Sequence, residues 1–500
     1  MLVVALILGT LGAVALRAEA GTGFGASDWA ALRFTLTQAS LSALLSVSLA
    51  IPVARALARR RFPGRALLIA LLGAPFILPV IVAILGLLAV FGRAGWLSSF
   101  FGLFGLEPVQ IYGLHGVVLA HVFFNLPLAT RLILQGWQEI PAERFRLAAQ
   151  LDAGPLAMWR LLEGPMLRRV APGALAVVFA ICLSSFAVAL TLGGGPRATT
   201  IELAIYQAFR FDFDLGRAAL LSGLQLLLTG AAALAALRVS AGEGFGAGLD
   251  RAVRRWDGQG AVARCLDTVW ITLSAGFLLL PLAAIVLAGL PGLADLKGTV
   301  LQAAGNSILV AAISTVILLA LALPMAAAVA AGRNSLTELS GILGLAASPL
   351  VIGTGLFILI YPVADPFALA LPVTALVNAV MALPFAMRIL VPRAREVLGR
   401  YGRLSLSLDM QGWAFVRRVF LPGCGRRPGL PRAWLRHCRW GSGRGNAVCR
   451  SGFRNAALAD LQADGAYRME AAAGAALLLL VLSMGAFWIL DRGGRWHAEA

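Results

Sequence analysis

Residue patterns that usually carry catalysis or phosphate binding are missing from this sequence. Lys297 is the only lysine and follows Leu296, so no loop of the form GxxxxGKS or GxxxxGKT can cradle a nucleotide phosphate. The five cysteines form no CxxC pair, and no spacing typical of a catalytic triad, paired carboxylates or metal ligands stands out. We therefore predict that the protein is not an enzyme and requires no cofactor or metal.

Polar side chains inside apolar runs are the remaining residues that could act on a solute. His121 and Asn125 lie in one such run, and Asn378 lies in another. A polar group in a membrane is costly and often functional, because it can line the path of a transported molecule. Hydrogen bonds between packed helices explain such residues equally well. We name these three residues as candidates for a translocation path and keep helix packing as the alternative.

The composition places most of the chain in a lipid bilayer. Of the 500 residues, 59% are hydrophobic and 13% are charged, and the mean hydropathy is +0.84. A water-soluble domain of ordinary composition carries about twice that charged fraction. The formal net charge is +18, but the arginines lie in short loops between apolar runs, where they set membrane orientation. We expect the lipid bilayer as a partner and no nucleic acid.

The lengths of the apolar runs predict an all-α, polytopic membrane protein. A helix needs roughly 20 apolar residues to cross about 30 Å of hydrocarbon. Eleven segments approach that length: Leu2–Leu16, Thr37–Leu57, Ala66–Phe91, Leu114–Leu134, Pro172–Leu192, Ala218–Leu237, Val269–Leu290, Val300–Ala331, Gly341–Ile360, Phe367–Leu390 and Ala471–Leu490. The first segment is interpreted as a span rather than a signal peptide, because no basic segment precedes it.

Clusters of arginine predict the orientation of the spans. Loops on the cytoplasmic side of a membrane are enriched in lysine and arginine. The loop after the second apolar run holds Arg59, Arg60 and Arg61, and the loops at 144–169, 251–264 and 388–418 are similarly basic. All of them fall on one side of the membrane. We therefore predict a bacterial inner-membrane protein with a cytoplasmic N-terminus.

An internal repeat divides the chain into two homologous halves. The run Leu126 to Arg131 recurs nearly unchanged at Leu383 to Arg388, 257 positions later. Without a gap, the same offset pairs Glu139 with Glu396, Arg146 with Arg403, Leu147 with Leu404, Leu151 with Leu408, Asp152 with Asp409, Arg160 with Arg417 and Pro165 with Pro422. We predict a first half at 1–239, a cytoplasmic linker at 240–263 and a second half at 264–490, built on six spans each.

The repeated polar loop has the pattern of a docking element. Apolar residues from Phe145 to Leu162 follow helical spacing, and the segment Asp152–Pro155 interrupts them. We expect two short helices joined by a turn, near 139–165 in the first half and near 396–422 in the second. A helical element of this kind can bind a groove on a soluble partner.

The loop resembles the cytoplasmic coupling loop of bacterial ABC importer permeases, which has the form EAA, three residues, Gly, nine residues, then I-x-L-P. The candidate coupling residues of the first half are Arg146, Leu147, Ala148, Ala149, Asp152, Leu162 and Pro165. Those of the second half are Arg403, Leu404, Ser405, Asp409, Val419 and Pro422. Both loops lack the leading Glu and have Asp in place of the turn Gly. Asp tolerates a positive φ better than most residues and can also cap the next helix.

A longer resemblance covers nearly the whole chain. Several segments are similar to the fused permeases for thiamine and thiamine pyrophosphate: Arg59-Arg60-Arg61-Phe62-Pro63-Gly64-Arg65, His121-Val122-Phe123-Phe124-Asn125-Leu126-Pro127, Leu147-Ala148-Ala149-Gln150-Leu151, and the stretch from Leu192 to Ala208. The fused ferric-iron permeases share the duplicated architecture and are the alternative within the same class.

This resemblance implies partners and a mechanism. A periplasmic substrate-binding protein would deliver thiamine or its phosphates, and two copies of an ABC ATPase subunit would close on ATP. The two coupling loops would transmit that closure to the membrane helices. An ion-coupled secondary transporter is the alternative from a different class, because internal repeats also occur there. The parallel halves and the two docking loops favour the importer.

The segment 423–463 departs from the repeat. Adding the offset to Pro172–Leu192 predicts a matching span at Gly429–Cys449, but that window holds four arginines. Each arginine costs roughly 2.5 to 3.5 kcal/mol at the centre of a membrane helix, so the window does not form a stable span. We predict twelve ancestral spans, of which eleven are recognisable, and two compensating frameshifts that replaced this segment. A basic insertion and a metal-binding loop of Cys424, His437, Cys438 and Cys449 are the alternatives, but neither explains the loss of the matching span.

Overall fold

A computed structural model describes residues 2–17, 23–73, 75, 78–195, 198–239, 260–293, 298–332, 344, 348–365, 368–410, 415–420, 473–482 and 484–485. Every regular element in this part of the chain is helical. Eight helices are long and apolar enough to cross a membrane, and three shorter apolar helices accompany them. One of these helices lies at each predicted apolar segment. The prediction of an all-α, polytopic membrane protein is therefore confirmed.

The helices are numbered here in chain order. In the predicted first half they are α1 (Leu2–Leu16), α2 (Ala26–Arg59), α3 (Arg65–Leu71), α4 (Val80–Phe91), α5 (Trp96–Gly102), α6 (Leu114–Glu139), α7 (Ala142–Gln150), α8 (Pro155–Met158), α9 (Gly164–Leu183), α10 (Ala187–Leu192), α11 (Ile201–Gln207) and α12 (Leu215–Val239). In the second half they are α13 (Ala261–Gly292), α14 (Gly298–Ala330), α15 (Pro349–Ile360), α16 (Ala370–Ser407) and α17 (Ala473–Leu482). Single π-helical turns lie at Trp159–Glu163, Ala208–Asp212 and Val416–Phe420.

Two predicted spans are interrupted where one continuous helix was expected. The segment Ala66–Phe91 forms α3 and α4 as separate helices. Pro75 and Pro79 lie between them, and proline lacks the amide hydrogen that a continuous helix needs. The segment Pro172–Leu192 forms the end of α9 and then α10, with a break at Ser184–Phe186.

The break after α9 is stabilised by side chains from two other helices. A helix that ends inside a protein leaves its last carbonyl groups without intrahelical partners. The amide group of Gln38 in α2 donates to the carbonyl oxygen of Cys182 at 2.9 Å, and that of Gln225 in α12 donates to Leu183 at 3.0 Å. Both glutamines are buried. Irregular backbone is therefore tolerated here because neighbouring helices satisfy it.

The first helix of each half packs against a helix of the other half. α1 packs against α15, and α13 packs against α4. Both contacts are close because each receiving helix presents a glycine. A Cβ atom at Gly86 in α4 would lie 2.6 Å from the carbonyl oxygen of Pro281 in α13, and one at Gly355 in α15 would overlap Thr10 in α1. The halves are thus joined by a reciprocal exchange of α1 and α13.

A pair of long helices forms the centre of each half. α2 packs along α6 in the first half, and α14 packs along α16 in the second. Their buried residues belong to two separate apolar clusters. Pro127 in α6 and Pro384 in α16 occupy positions related by the repeat, inside helices that continue on both sides. α6 carries the candidate residues His121 and Asn125, and α16 carries Asn378. The turns of the two predicted docking loops follow these two helices.

Several predictions concern residues outside the described part of the chain. They include most of the linker 240–263, the aberrant segment 423–463 and the coupling residue Pro422. Residue Ala261 within the predicted linker already begins α13. The domain boundaries and the frameshifts stay predictions.

Candidate functional site: two repeated turns and a buried polar cluster

In the first half, α7 ends in a left-handed turn at Asp152. Asp152 has a φ of 49°. The amide of Ala153 donates to the carbonyl oxygen of Ala148 at 2.9 Å, and that of Asp152 donates to Ala149 at 3.2 Å. These two hydrogen bonds around a left-handed residue form a Schellman motif, in which that residue is usually glycine. Asp152 therefore takes the structural role of the turn glycine.

The second half repeats this turn at Asp409. Asp409 has a φ of 51°, the amide of Met410 donates to the carbonyl oxygen of Ser405 at 2.8 Å, and that of Asp409 donates to Leu406 at 3.2 Å. Every atom pair matches the first half at the 257-residue offset. Of the non-glycine residues described, only Phe213 shares a positive φ with the two aspartates. The two turns are structural equivalents.

The helix that enters the turn is broken in the first half alone. Pro141 separates α6 from α7, whereas the equivalent Leu398 lies inside the single helix α16. Proline removes a helical hydrogen bond and disfavours helical geometry in the residue before it. Ile140 is accordingly extended, with φ of −68° and ψ of 119°. One residue type thus explains why the first loop has a separate α7.

The segment after the turn differs from the two short helices expected. α8 begins at Pro155 and continues through the π-helical turn Trp159–Glu163 into α9, as one helix of 29 residues that ends at Leu183. The prediction of a separate short second helix is wrong for the first half. A π-turn at Val416–Phe420 lies at the equivalent place in the second half. A single π-turn inserts one residue and often marks a functional position.

Exposed leucines surround both turns. Leu147 is 57% exposed and Leu151 is 73% exposed, while the equivalent Leu404 and Leu408 are 55% and 61% exposed. Equivalent positions of the repeat thus carry an exposed apolar surface beside each turn. The two surfaces lie on the arginine-rich side of the predicted membrane topology. Leu156 and Leu161 extend the first surface, at 63% and 71% exposed.

The other candidate coupling residues differ in exposure. In the first half Arg146, Ala149, Asp152 and Pro165 are exposed, and Ala148 and Leu162 are half-buried. In the second half Arg403 and Asp409 are exposed, Val419 is half-buried and Ser405 is buried. Ser405 donates from its hydroxyl to the carbonyl oxygen of Gly402 at 2.8 Å. Of the less exposed residues, Ala148 and Leu162 pack against the apolar cluster of the first half, and Val419 packs against that of the second.

Sequence reasoning missed a buried acidic residue behind the first turn. Glu163 is fully buried, with Arg55 Nη2 at 2.8 Å and the indole Nε1 of Trp137 at 3.2 Å. A lone Glu in an amphipathic loop looks like a solvated charge. Comparison of the halves would have revealed it, because the repeat aligns Glu163 with Phe420 and Trp137 with Ala394.

His121 belongs to a buried polar cluster inside the first half. Its Nδ1 lies 3.2 Å from Ser42 Oγ, and its Nε2 lies 2.6 Å from Ser185 Oγ. Asn125 donates to the sulfur of Cys182 at 3.3 Å and to the carbonyl oxygen of His121 at 2.9 Å. The cluster joins α2, α6, α9 and the break that follows α9. This arrangement suits helix packing as well as a transport path.

Asn378 lies apart from that cluster, although the repeat aligns it with His121. It is 1% exposed in α16, and its neighbours Val377 and Ala379 belong to the apolar cluster of the second half. The structure therefore brings His121 and Asn125 together but places Asn378 in the other half. A role in translocation stays a prediction for all three residues.

Two further contacts between the halves were not expected from the sequence. Ser348 donates from its hydroxyl to Glu202 Oε2 at 2.8 Å, and Arg60 Nε donates to Asp267 at 2.7 Å. Both carboxylates are buried, Glu202 at 1% and Asp267 at 6% exposed. In the described part of the chain, no group of three His, Cys, Asp or Glu side chains is placed to hold a metal ion.

Known proteins resemble this chain over almost its whole length. No protein-family model matches it. The thiamine transport system permease protein of Brucella abortus is 39% identical, over 98% of this chain and 93% of that protein. The proteins of the same name from Salmonella typhimurium and Escherichia coli are 38% and 39% identical, over 94% and 93% of this chain and 90% and 89% of their own lengths. Identity of this extent shows common membership, and the chain belongs to the family of thiamine transport system permease proteins.

Proposed function

We propose that this protein is the membrane subunit of an ABC importer that moves thiamine or its phosphates across the bacterial inner membrane. The observation that carries the proposal is the pair of matching turns at Asp152 and Asp409, each preceded by two exposed leucines. Two equivalent docking surfaces on one chain fit two copies of the same soluble partner. The substrate follows from the relatives, whose names specify thiamine transport.

The soluble partner in this proposal is an ABC ATPase. The chain has no phosphate-binding loop of its own, so ATP hydrolysis would take place in separate subunits. Each ATPase copy would bind one turn and its exposed leucines in a surface groove. A periplasmic binding protein would deliver the substrate from the outer side. Substrate selection would then depend on the binding protein as well as on this chain.

The transport mechanism requires two conformations of the helical halves. ATP and the loaded binding protein change their populations through contacts that differ between the two states. The reciprocal exchange of α1 and α13 means that neither half can move without carrying a helix of the other. The buried contact between Ser348 and Glu202 lies where the halves meet and would break or rearrange as they separate.

The orientation in the membrane follows from the arginine-rich loops. Arg55 and Arg60 lie near the end of α2, and the turn at Asp152 follows α6 on the same predicted side. Positive loops remain in the cytoplasm. Both docking surfaces and the N-terminus would then face the cytoplasm, where ATP is available.

A fused ferric-iron importer shares the architecture, and an ion-coupled secondary transporter is the alternative from another class. Reconstitution in proteoliposomes with the cognate ATPase and binding protein separates the three. We expect ATP-dependent uptake of labelled thiamine, thiamine monophosphate or thiamine pyrophosphate. ATP-dependent uptake of ferric iron without thiamine uptake would contradict the substrate, and uptake driven by an ion gradient without ATP would contradict the importer class.

A further inference from the structure

We infer that Glu163 is a positioning residue that fixes the first docking loop to three membrane helices through a polar anchor centred on its buried carboxylate, whereas the second loop is fixed by apolar packing. The polar anchor consists of Glu163, Arg55, Trp137 and Trp159. The inference rests on the proposed function, because it assumes that both loops receive force from an ATPase. The two loops would then differ in how firmly they are held on the membrane helices.

The polar anchor has a defined geometry. Glu163 accepts the indole N–H of Trp137 at 3.2 Å and lies 2.8 Å from the guanidinium group of Arg55. The Arg55 guanidinium carbon in turn lies 5.4 Å from the ring centroid of Trp159. Trp137 and Glu163 are 2% and 0% exposed. Hydrogen bonds to a charged group are directional and stronger in a buried, low-dielectric environment.

The polar anchor connects the docking loop to three helices at once. Arg55 lies in the last turns of α2, Trp137 near the end of α6, and Glu163 immediately before α9. Trp159 and Glu163 are the first and last residues of the π-helical turn that follows the docking turn. Separating Arg55 from Glu163 would leave a buried carboxylate without its charged partner, which is strongly unfavourable. A displacement of the loop is therefore transmitted to α2, α6 and α9 together.

The same three helices hold the polar cluster. Ser42 belongs to α2, His121 to α6 and Cys182 to α9. Ser42 lies about 20 Å from Arg55 along α2, by the rise of an α-helix. Movement of the first docking loop therefore reaches the candidate translocation path through helices that are joined at both levels.

The second half has apolar residues at the positions of Trp137 and Glu163. The repeat places Ala394 at the position of Trp137 and Phe420 at the position of Glu163. Ala394 is 0% exposed and Phe420 is 2% exposed, and both belong to one apolar cluster. The indole and the carboxylate of the first half are thus replaced by a methyl group and a phenyl ring at the equivalent positions. Apolar packing is non-directional, so this anchor restrains the second loop less specifically.

The test measures the number of thiamine molecules imported per ATP hydrolysed by the reconstituted complex. Glu163→Gln removes the charge and keeps the shape, and Trp137→Phe removes one hydrogen bond. Arg169→Gln is the control, because it breaks the exposed pair with Glu139 at 3.1 Å on the same side of the bundle, where Arg169 is 61% exposed. Exposed ion pairs contribute little to structure. A double variant, Glu163→Phe with Trp137→Ala, installs the arrangement of the second half.

We expect the number of thiamine molecules imported per ATP to fall about fivefold in Glu163→Gln and in Trp137→Phe. A change of this size is expected when a charge-assisted hydrogen bond is weakened. The yield of assembled complex should stay normal, and Arg169→Gln should resemble the wild type. The double variant should transport better than Glu163→Gln. An unchanged ratio in both single variants, or an equal fall in Arg169→Gln, would overturn the inference. If Glu163→Gln does not assemble, Trp137→Phe decides alone, and failure of the wild type to import thiamine would instead refute the proposed function.

Discussion

Asp152 and Asp409 have almost the same backbone conformation, with φ of 49° and 51°, although 257 residues separate them. Each ends a helix through the same pair of hydrogen bonds. A residue with a Cβ atom costs roughly 1 to 2 kcal/mol in the left-handed region, and Asp is among those that tolerate it best. The turn geometry therefore survives the absence of glycine from both loops.

The left-handed conformation of Asp152 and Asp409 predicts which substitutions these two positions tolerate. Glycine or asparagine should leave stability and complex formation near the wild type, because both adopt a positive φ readily. Valine should destabilise the turn by about 1 to 2 kcal/mol, because it combines a Cβ atom with β-branching. Thermal unfolding in detergent and co-purification with the ATPase measure the effect. Equal behaviour of the Val and Gly variants would show that the turn geometry is unimportant.

A bulky charged side chain at position 149 should uncouple transport from ATP hydrolysis. Ala149 is exposed beside Leu151, so Ala149→Arg should leave membrane insertion intact and place an arginine in the ATPase interface. Added volume and an unpaired charge both oppose close docking. We expect loss of ATP-driven uptake with normal expression. Ala261→Arg, at the exposed start of α13 outside both loops, is the matched control, and normal uptake by Ala149→Arg would refute the assignment of this surface.

The close packing of α1 and α13 on the opposite halves predicts that larger side chains at Gly86 and Gly355 destabilise the protein. Leucine at Gly86 would collide with Pro281 and Ile285, and leucine at Gly355 would collide with Thr10. Overpacking of this kind costs roughly 1 to 3 kcal/mol. Gly276 in α13 has open space at its Cβ position, so Gly276→Leu serves as the control. Thermal unfolding of the purified protein should show lower midpoints for Gly86→Leu and Gly355→Leu alone, and midpoints as high as that of Gly276→Leu would contradict the exchange.

The aberrant segment predicts a result at the level of the gene. If two frameshifts flank residues 423–463, an alternative reading frame across this window should encode about 20 consecutive apolar residues, enough for one span. That span would be the counterpart of Pro172–Leu192 in the first half. Resequencing the gene and translating the other frames provides the measurement. Polar or stop-containing translations in both other frames would eliminate the frameshift hypothesis.

Span positions were predictable from the sequence because the thickness of the bilayer sets the length of the apolar run that can cross it. The break at Ser184–Phe186 was not, because it depends on Gln38 and Gln225 from distant helices, and residue spacing does not reveal such partners. The exchange of α1 and α13 was missed for the same reason. Apolar periodicity shows that a helix is buried but not which helix covers it.

The candidate site was predictable in part. The turn at Asp152 was located by its interruption of apolar spacing, and its repetition at Asp409 by the offset. The continuation of α8 into α9 was not predicted, because Pro165 lies inside this helix, where a proline usually breaks helical structure. Glu163 was missed because its burial depends on Trp137 and Arg55, which are distant in sequence.

One polypeptide with both docking surfaces should bind two ATPase subunits by itself. Native mass spectrometry of the complex, purified with its ATPase and kept intact in detergent, measures the subunit ratio. We expect one permease chain and two ATPase chains, because Asp152 and Asp409 each organise one docking turn. The variant Ala149→Arg should shift the population toward a single bound ATPase, while Ala261→Arg should not. A complex that contains two permease chains would show that one chain does not supply both docking surfaces.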